Sequence, residues 1–157
     1  MNKKFILGIA AAAALAVGSL TASAAGFAKT NTYTPGMSND VPASEWYPSS
    51  VSSSYELGFM KGTADGVFSP EGNMTVAEAV TIAARVHDAY NAKGTTFSQN
   101  GANWYDEYVK YAVDNGIIKA DAFDDYDRPV KRYEMAVIFS KAVPDSYLEA
   151  KNNVTEI

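Results

Sequence analysis

Apolar residues recur with helical spacing in two separate stretches of the chain. In order, they are Ala79, Ile82, Ala83 and Val86 in the first stretch, and Met135, Ile138, Phe139 and Ala142 in the second. Both sets follow the i, i+3, i+4, i+7 pattern of a helix that buries one face. Because the first stripe is small and the second is bulky, we expect the two helices to pack against each other in a central bundle.

A shorter helix is predicted before each of these two. The pairs Val51/Tyr55 and Val109/Val113 are four residues apart, so each pair shares a helical face. Gly58 and Gly116 follow these pairs. Since glycine adopts the left-handed conformation without steric cost, we expect both glycines to end their helices as structural residues.

The longer helices begin differently. Thr75 and Glu78 form the Thr-x-x-Glu pattern of a capping box, in which each side chain bonds the backbone N–H of the other residue. The matching residues of the second copy are Lys131 and Glu134. Lysine has no acceptor, so the second helix should lose its side-chain cap, at a cost of about 1 kcal/mol.

These elements belong to an internal repeat. Trp46-Tyr47 is followed by Gly58, and Trp104-Tyr105 by Gly116, with 12 residues from Trp to Gly in both copies (46 to 58 and 104 to 116). The period from Trp to Trp is 58 residues. A fixed period is typical of architectures in which similar modules stack on each other.

The repeated motifs resemble the S-layer homology (SLH) module. The resemblance rests on Asp40-Val41, Trp46-Tyr47, the turn at 65–70 and the Thr-x-x-Glu helix start, which recur in order over roughly residues 38–90 and 97–143. It implies an all-α fold of tandem helix-loop-helix modules, arranged as a bundle with pseudo-threefold symmetry. The predicted organisation is a signal peptide (1–24), an irregular segment (25–37), a first module (38–94), a second module (95–143) and the truncated lead-in to a third (144–157).

The N-terminus predicts export. Asn2-Lys3-Lys4 is a short basic segment, residues 5–17 are uncharged and apolar, and Ala22-Ser23-Ala24 supplies the small residues that a signal peptidase reads. Cleavage is predicted after Ala24. The alternative, a membrane-spanning helix, would need an apolar run of about 20 residues, and this run is shorter.

Charge and cysteine content limit the possible partners and the source of stability. The net charge is −5, and loss of the signal peptide with Lys3 and Lys4 would bring it to −7. Nucleic acid is therefore not a predicted partner, because binding it requires a basic face. The chain has no cysteine, so an exported domain of this sequence must rely on a hydrophobic core rather than on disulfides.

The SLH resemblance implies a non-catalytic module that anchors secreted proteins to the bacterial cell wall. The implied partner is an acidic secondary cell-wall polysaccharide, often bearing a pyruvate ketal, or another polymer linked to peptidoglycan. We expect no cofactor and no metal. The protein should be secreted and held at the cell surface. Self-association could complete the three-module bundle. Two other functions stay open, a structural subunit of the S-layer lattice and a hydrolase that acts on the wall.

The predicted ligand-binding residues are Arg132, Lys131, Trp104, Trp46, Asp40 and Glu134. The Arg of the family motif Thr-Arg-Ala-Glu falls on Arg132, where a planar cation could hold a carboxylate through paired hydrogen bonds. Val76 occupies the same position in copy one, so copy two is the predicted binding site. The indole rings could stack on sugar. Alternatively, each Trp anchors the core and Arg132 is a solvated helix-start residue.

Two other groups of residues could carry chemistry. His87, the single histidine, is predicted to be packed or at the surface, because the sequence shows no partners for a catalytic triad. The acidic run Asp121, Asp124, Asp125 and Asp127 suggests calcium. It lacks the spacing of a calcium loop, so a solvated loop is the alternative that we favour.

Overall fold

The structure is a computed structural model, and it describes residues 27–98 and 101–145. Within these residues the protein has four helices, α1 (Pro48–Glu56), α2 (Val76–Tyr90), α3 (Asp106–Asp114) and α4 (Arg132–Ser140), and its β-structure is confined to isolated bridges. The predicted all-α fold is confirmed. The predicted signal peptide (1–24) lies outside the described residues, as does most of the 144–157 segment.

The two short helices end in the same way, as the repeat predicts. Gly58 has a φ of +74° and Gly116 a φ of +71°. In each case the N–H of the residue after glycine donates to the helix carbonyl five positions earlier, at 2.9 Å for α1 and 2.8 Å for α3. This is the Schellman arrangement, and it turns the apolar residues that follow back onto the helix.

The starts of α2 and α4 differ by one hydrogen bond. The Glu78 N–H donates to Thr75 Oγ1 at 3.2 Å, and the Thr75 N–H donates to Glu78 Oε2 at 2.8 Å, so the predicted capping box is confirmed. At α4, the Lys131 N–H donates to Glu134 Oε2 at 2.8 Å. The Lys131 ammonium can donate hydrogen bonds but cannot accept one, so only this half of the capping box forms.

Helix α2 lies at the centre of the described structure and packs against α3 and α4. The core cluster joins the small side chains of α2 to bulkier ones that follow it along the chain: Val76, Ala79, Val80, Ala83, Ala112, Ile117, Ile118, Ile138 and Ala142. Ala79 and Ala83 of the small stripe share this core with Ile138 of the bulky stripe, and Phe139 packs against it; the wider bundle arrangement stays a prediction.

The segment from Tyr126 to Val130 crosses the N-terminus of α2 and joins the two repeats. The Val76 N–H donates to the Arg128 carbonyl at 3.0 Å, and the Ala77 N–H donates to the Tyr126 carbonyl at 2.9 Å. These are N–H groups that a helix start leaves without an intrahelical partner. Val76 is fully buried beneath this segment. The position that aligns with Arg132 is therefore part of the core in copy one, and an arginine there would be a buried, unpaired charge.

The chain before α1 runs without a helix from residue 27 to residue 47. It is tied to the end of α1, because the N–H groups of Thr30 and Asn31 both donate to the Glu56 carbonyl, at 2.7 and 3.1 Å. Lys29 forms an ion pair with the Glu56 side chain at 2.6 Å. Among the described residues, no helix is both long enough and apolar enough to cross a membrane.

Candidate functional site

Both tryptophans border one cleft of about 700 Å³ between the repeats. Helix α2 contributes Glu78, Thr81, Ile82 and Arg85 to its lining. The remaining walls come from segments 59–63 and 68–74, and from the residues that precede α1 and α3. The first copy thus supplies most of the lining, and Trp104 is the contribution of the second copy.

The tryptophans are exposed rather than buried. Trp46 is 84% exposed and Trp104 is 42% exposed, so the alternative in which they anchor the core is wrong. Each indole meets the ring of the following tyrosine edge to face, with centroids 5.6 Å apart in copy one and 5.5 Å apart in copy two. Tyr47 and Tyr105 are the half-buried members of these pairs, and they leave the indole faces open to solvent.

Arg85 lines the cleft from α2 and bridges the repeats. Its guanidinium donates to the Phe59 carbonyl at 3.1 Å and to the Tyr108 hydroxyl at 2.9 Å. It also lies over the Tyr108 ring, 5.0 Å from the centroid. The sequence prediction missed Arg85. Its spacing of seven from Glu78 puts both on one helical face, a signal that could have identified it.

The cleft carries cations without carboxylate partners. Lys61, which is exposed at its rim, and Arg85 are both absent from the ion pairs that residues 27–98 and 101–145 form. Glu78 is the acid in the same lining, and its Oε2 is engaged by the Thr75 N–H. Three further acids, Glu45, Glu71 and Asp40, lie close enough to the cleft residue Tyr47 to help raise its pKa, so the cleft and its edge carry charges of both signs.

The residues that were predicted to bind ligand in copy two lie elsewhere. Arg132 and Lys131 are exposed at the start of α4, and neither lines the cleft that holds Trp46 and Trp104. The Lys131 ammonium is 5.9 Å from the Tyr133 ring centroid, and Tyr133 is 63% exposed. The aromatic side chain beside these cations is therefore Tyr133 rather than a tryptophan.

Asp40 holds a turn at the edge of the cleft. Its two carboxylate oxygens accept the N–H groups of Phe68, at 2.9 Å, and of Ser69, at 2.6 Å. These backbone hydrogen bonds hold the pKa of Asp40 below its usual range. Ser69 has a φ of +62°, which is uncommon for a residue with a side chain. Asp40 thus supports the loop that carries the cleft residues Phe68 and Ser69.

Glu134 is buried in an internal ion pair. Arg128 donates through both terminal nitrogens to its two oxygens, at 2.9 and 2.8 Å. Hydrogen bonds from Arg128, and then from the Lys131 N–H, lower the pKa of Glu134 to about 2. Six residues before Glu78 the chain has Gly72, so copy one has no equivalent arginine. Gly72 lines the cleft, and Ser69 lies directly against it.

The other candidates are packed or solvated. Nδ1 of His87 lies 3.0 Å from the Tyr111 hydroxyl, and burial lowers the pKa of His87. His87 is half-buried, in line with the packed or surface position that was predicted for it. Burial is also the main cause that raises the pKa of Tyr111 to about 12. The four aspartates at 121–127 are exposed. In the part of the chain described here, no group of three or more His, Cys, Asp or Glu residues could hold a metal ion.

Comparison with known proteins gives one family and two relatives. Residues 39–80 match the model of the S-layer homology domain. The chain is similar to the S-layer protein sap of Bacillus anthracis, with 32% identity over 82 residues. It is also similar to an S-layer protein of Bacillus thuringiensis subsp. finitimus, with 30% identity over 82 residues. Each alignment covers 51% of this chain, and the chain spans about 10% of the length of these relatives. No solved structure matches.

The Arg128–Glu134 pair predicts acid sensitivity. Because the fold lowers the pKa of Glu134 from 4.5 to about 2, its contribution to stability is complete above pH 4.5 and is lost as the pH falls towards 2. Glu134→Gln should therefore flatten the dependence of the unfolding free energy on pH in this window, as should Arg128→Gln. Urea denaturation at several pH values measures the unfolding free energy and its dependence on pH. A Glu134→Gln slope equal to that of the wild type would contradict the prediction.

Proposed function

We propose that this protein attaches non-covalently to the bacterial cell wall through the cleft between its repeats, since residues 39–80 match the model of the S-layer homology domain. It acts as a secreted anchor that is retained at the cell surface and catalyses no reaction. The observation that carries the proposal is that Trp46, Trp104, Lys61 and Arg85 converge on one cleft.

The geometry of the cleft suits a sugar polymer. Two exposed indoles offer large apolar faces with one donor each, which match the apolar face and the hydroxyl rim of a pyranose ring. A volume of about 700 Å³ is in the range of small-ligand sites. The cleft is open to solvent through Trp46, so a long polymer can enter without being threaded.

The two cations in the lining of the cleft suit an acidic ligand. Neither the Phe59 carbonyl nor the Tyr108 hydroxyl neutralises the Arg85 guanidinium, which keeps further N–H donors for a carboxylate. Lys61 adds a second cation at the rim. We therefore propose an acidic secondary cell-wall polysaccharide as the ligand, with a carboxylate such as that of a pyruvate ketal near Arg85.

Arg132 and Lys131 form a second proposed contact for the same polymer. They are exposed beside the Tyr133 ring, so this surface repeats the combination of cations and an aromatic face found in the cleft. Two adjacent cations would also offset the repulsion between an acidic protein and an anionic polymer.

A role as a subunit of the S-layer lattice is the second candidate function, and the face of α4 favours it. Tyr133 and Val137 are 63% and 60% exposed. The residues at the matching positions of α2, Ala77 and Thr81, are buried. The α4 face of one molecule could therefore bind a second copy of the chain, which would cover it as the second repeat covers α2.

Cleft variants should weaken binding to the wall without unfolding the protein. Trp46→Ala removes an exposed ring, so we expect about a tenfold loss of affinity (~1.4 kcal/mol) and a change in unfolding free energy within about 0.5 kcal/mol. Lys61→Ala should also bind more weakly and with less dependence on salt. Co-sedimentation with wall sacculi, before and after chemical removal of acidic substituents, measures the affinity.

Matched controls make this test specific. Trp46→Phe keeps an aromatic face, and Met37→Ala removes an exposed apolar side chain outside the cleft; both should bind nearly as well as the wild type. Undiminished binding by Trp46→Ala and Lys61→Ala would reject the cleft as the site. Release of reducing sugar from the sacculi would instead indicate a hydrolase.

Arg132→Ala should weaken wall binding by about 1.5–3 kcal/mol, the value of a charge-assisted contact. Arg132→Lys should recover only part of this loss, because a point charge cannot form paired hydrogen bonds with a carboxylate. The same sedimentation assay applies. Equal binding by Arg132→Ala and the wild type on intact wall would leave Arg132 as a solvated helix-start residue.

The lattice function predicts self-association through α4. At high concentration and without wall, the wild type should sediment as a dimer or a larger species. The double variant Tyr133→Ser/Val137→Ser should be monomeric, because the apolar face is lost, whereas Trp46→Ala should associate normally. Analytical ultracentrifugation distinguishes these outcomes, and a wild type that stays monomeric at all concentrations would exclude the proposal.

A further inference from the structure

Thr81 carries a buried hydroxyl that has no partner. It lies on α2 between Glu78 and Arg85 and belongs to the lining of the cleft. The residue is 3% exposed, and within residues 27–98 and 101–145 its Oγ1 is the buried side-chain polar atom without a hydrogen bond. A helical threonine can bond the carbonyl four residues earlier, but this one does not.

An unpartnered buried hydroxyl costs stability, and so it requires an explanation. The second repeat does not pose the same problem. At the matching position of α4 it carries Val137, which is 60% exposed and has no hydroxyl. Val137 lies outside the cleft, whereas Thr81 lines it. The hydroxyl is thus present in the copy that faces the cleft and absent in the copy that does not.

We propose that Thr81 is a specificity-determining residue of the cleft, and that its hydroxyl bonds a free hydroxyl group of the bound sugar. This inference rests on the proposed function of the cleft. Threonine in a helix has two accessible χ1 rotamers. A rotation about χ1 moves Oγ1 to a different staggered position, and the proposal requires that this second position faces the ligand.

The position of Arg85 indicates which class of sugar the cleft would bind. Arg85 is one helical turn after Thr81, and side chains four residues apart have Cβ atoms roughly 6 Å apart. Both side chains line the cleft, so we expect the bound sugar unit to present a hydroxyl to Thr81 and a carboxylate to Arg85.

The test compares variants that keep or remove the hydroxyl. Thr81→Val should lower affinity for intact sacculi about five- to tenfold while its Tm stays equal to or above that of the wild type. Thr81→Ser should bind within about twofold of the wild type. If Thr81→Val lowers the Tm, Thr81→Ala replaces it as the hydroxyl-free variant, since small side chains are common on the buried face of α2.

The variant Trp46→Ala distinguishes a failure of the proposed role of Thr81 from a failure of the cleft as the binding site. Weak binding by Trp46→Ala together with wild-type binding by Thr81→Val would overturn the role of Thr81 and leave the cleft as the site. Equal losses for Thr81→Val and Thr81→Ser would also overturn it, because they would point to the methyl group. Wild-type binding by both Trp46→Ala and Thr81→Val would reject the cleft itself.

Discussion

The rest of the structure depends on the hydrogen bonds between the start of α2 and the segment at 126–130. The N–H groups of Val76 and Ala77 receive their acceptors from the second repeat. A buried N–H left unpaired would cost about 1–3 kcal/mol, so this contact sets where the two copies meet. It also buries Val76 and orients α2, and thereby brings Thr81 and Arg85 to the cleft between the repeats.

A second constraint is the different burial of the two rings in each Trp-Tyr pair. The tyrosine lies at the N-cap of a short helix and is half-buried, while the tryptophan before it meets that ring edge to face and stays exposed. The same local sequence therefore gives the same local geometry twice. Because the repeats are joined through α2, the two indoles border one cleft rather than two.

The two copies differ in the partner of the glutamate in the capping box. In copy two, Arg128 closes over Glu134 in a two-point ion pair. In copy one, Gly72 stands at the position of Arg128, so Glu78 has no arginine partner there. Glu78 and Gly72 line the cleft that holds both tryptophans, whereas Glu134 and Arg132 do not.

Local chemistry explains what could be predicted from sequence. The glycine stops, the Thr75 capping box and the two apolar stripes depend on residues a few positions apart, so their spacing alone predicted the four helices and the repeat. The site was only partly predictable. Trp46 and Trp104 were identified, but Arg85, Lys61 and Thr81 were not, because they join the tryptophans through contacts between distant segments.

Two acids were expected to bind ligand but have structural partners instead. Asp40 accepts backbone N–H groups, and Glu134 pairs with Arg128. Sequence determines which side chains share a helical face; only tertiary packing decides which faces meet and which charges are left without a partner.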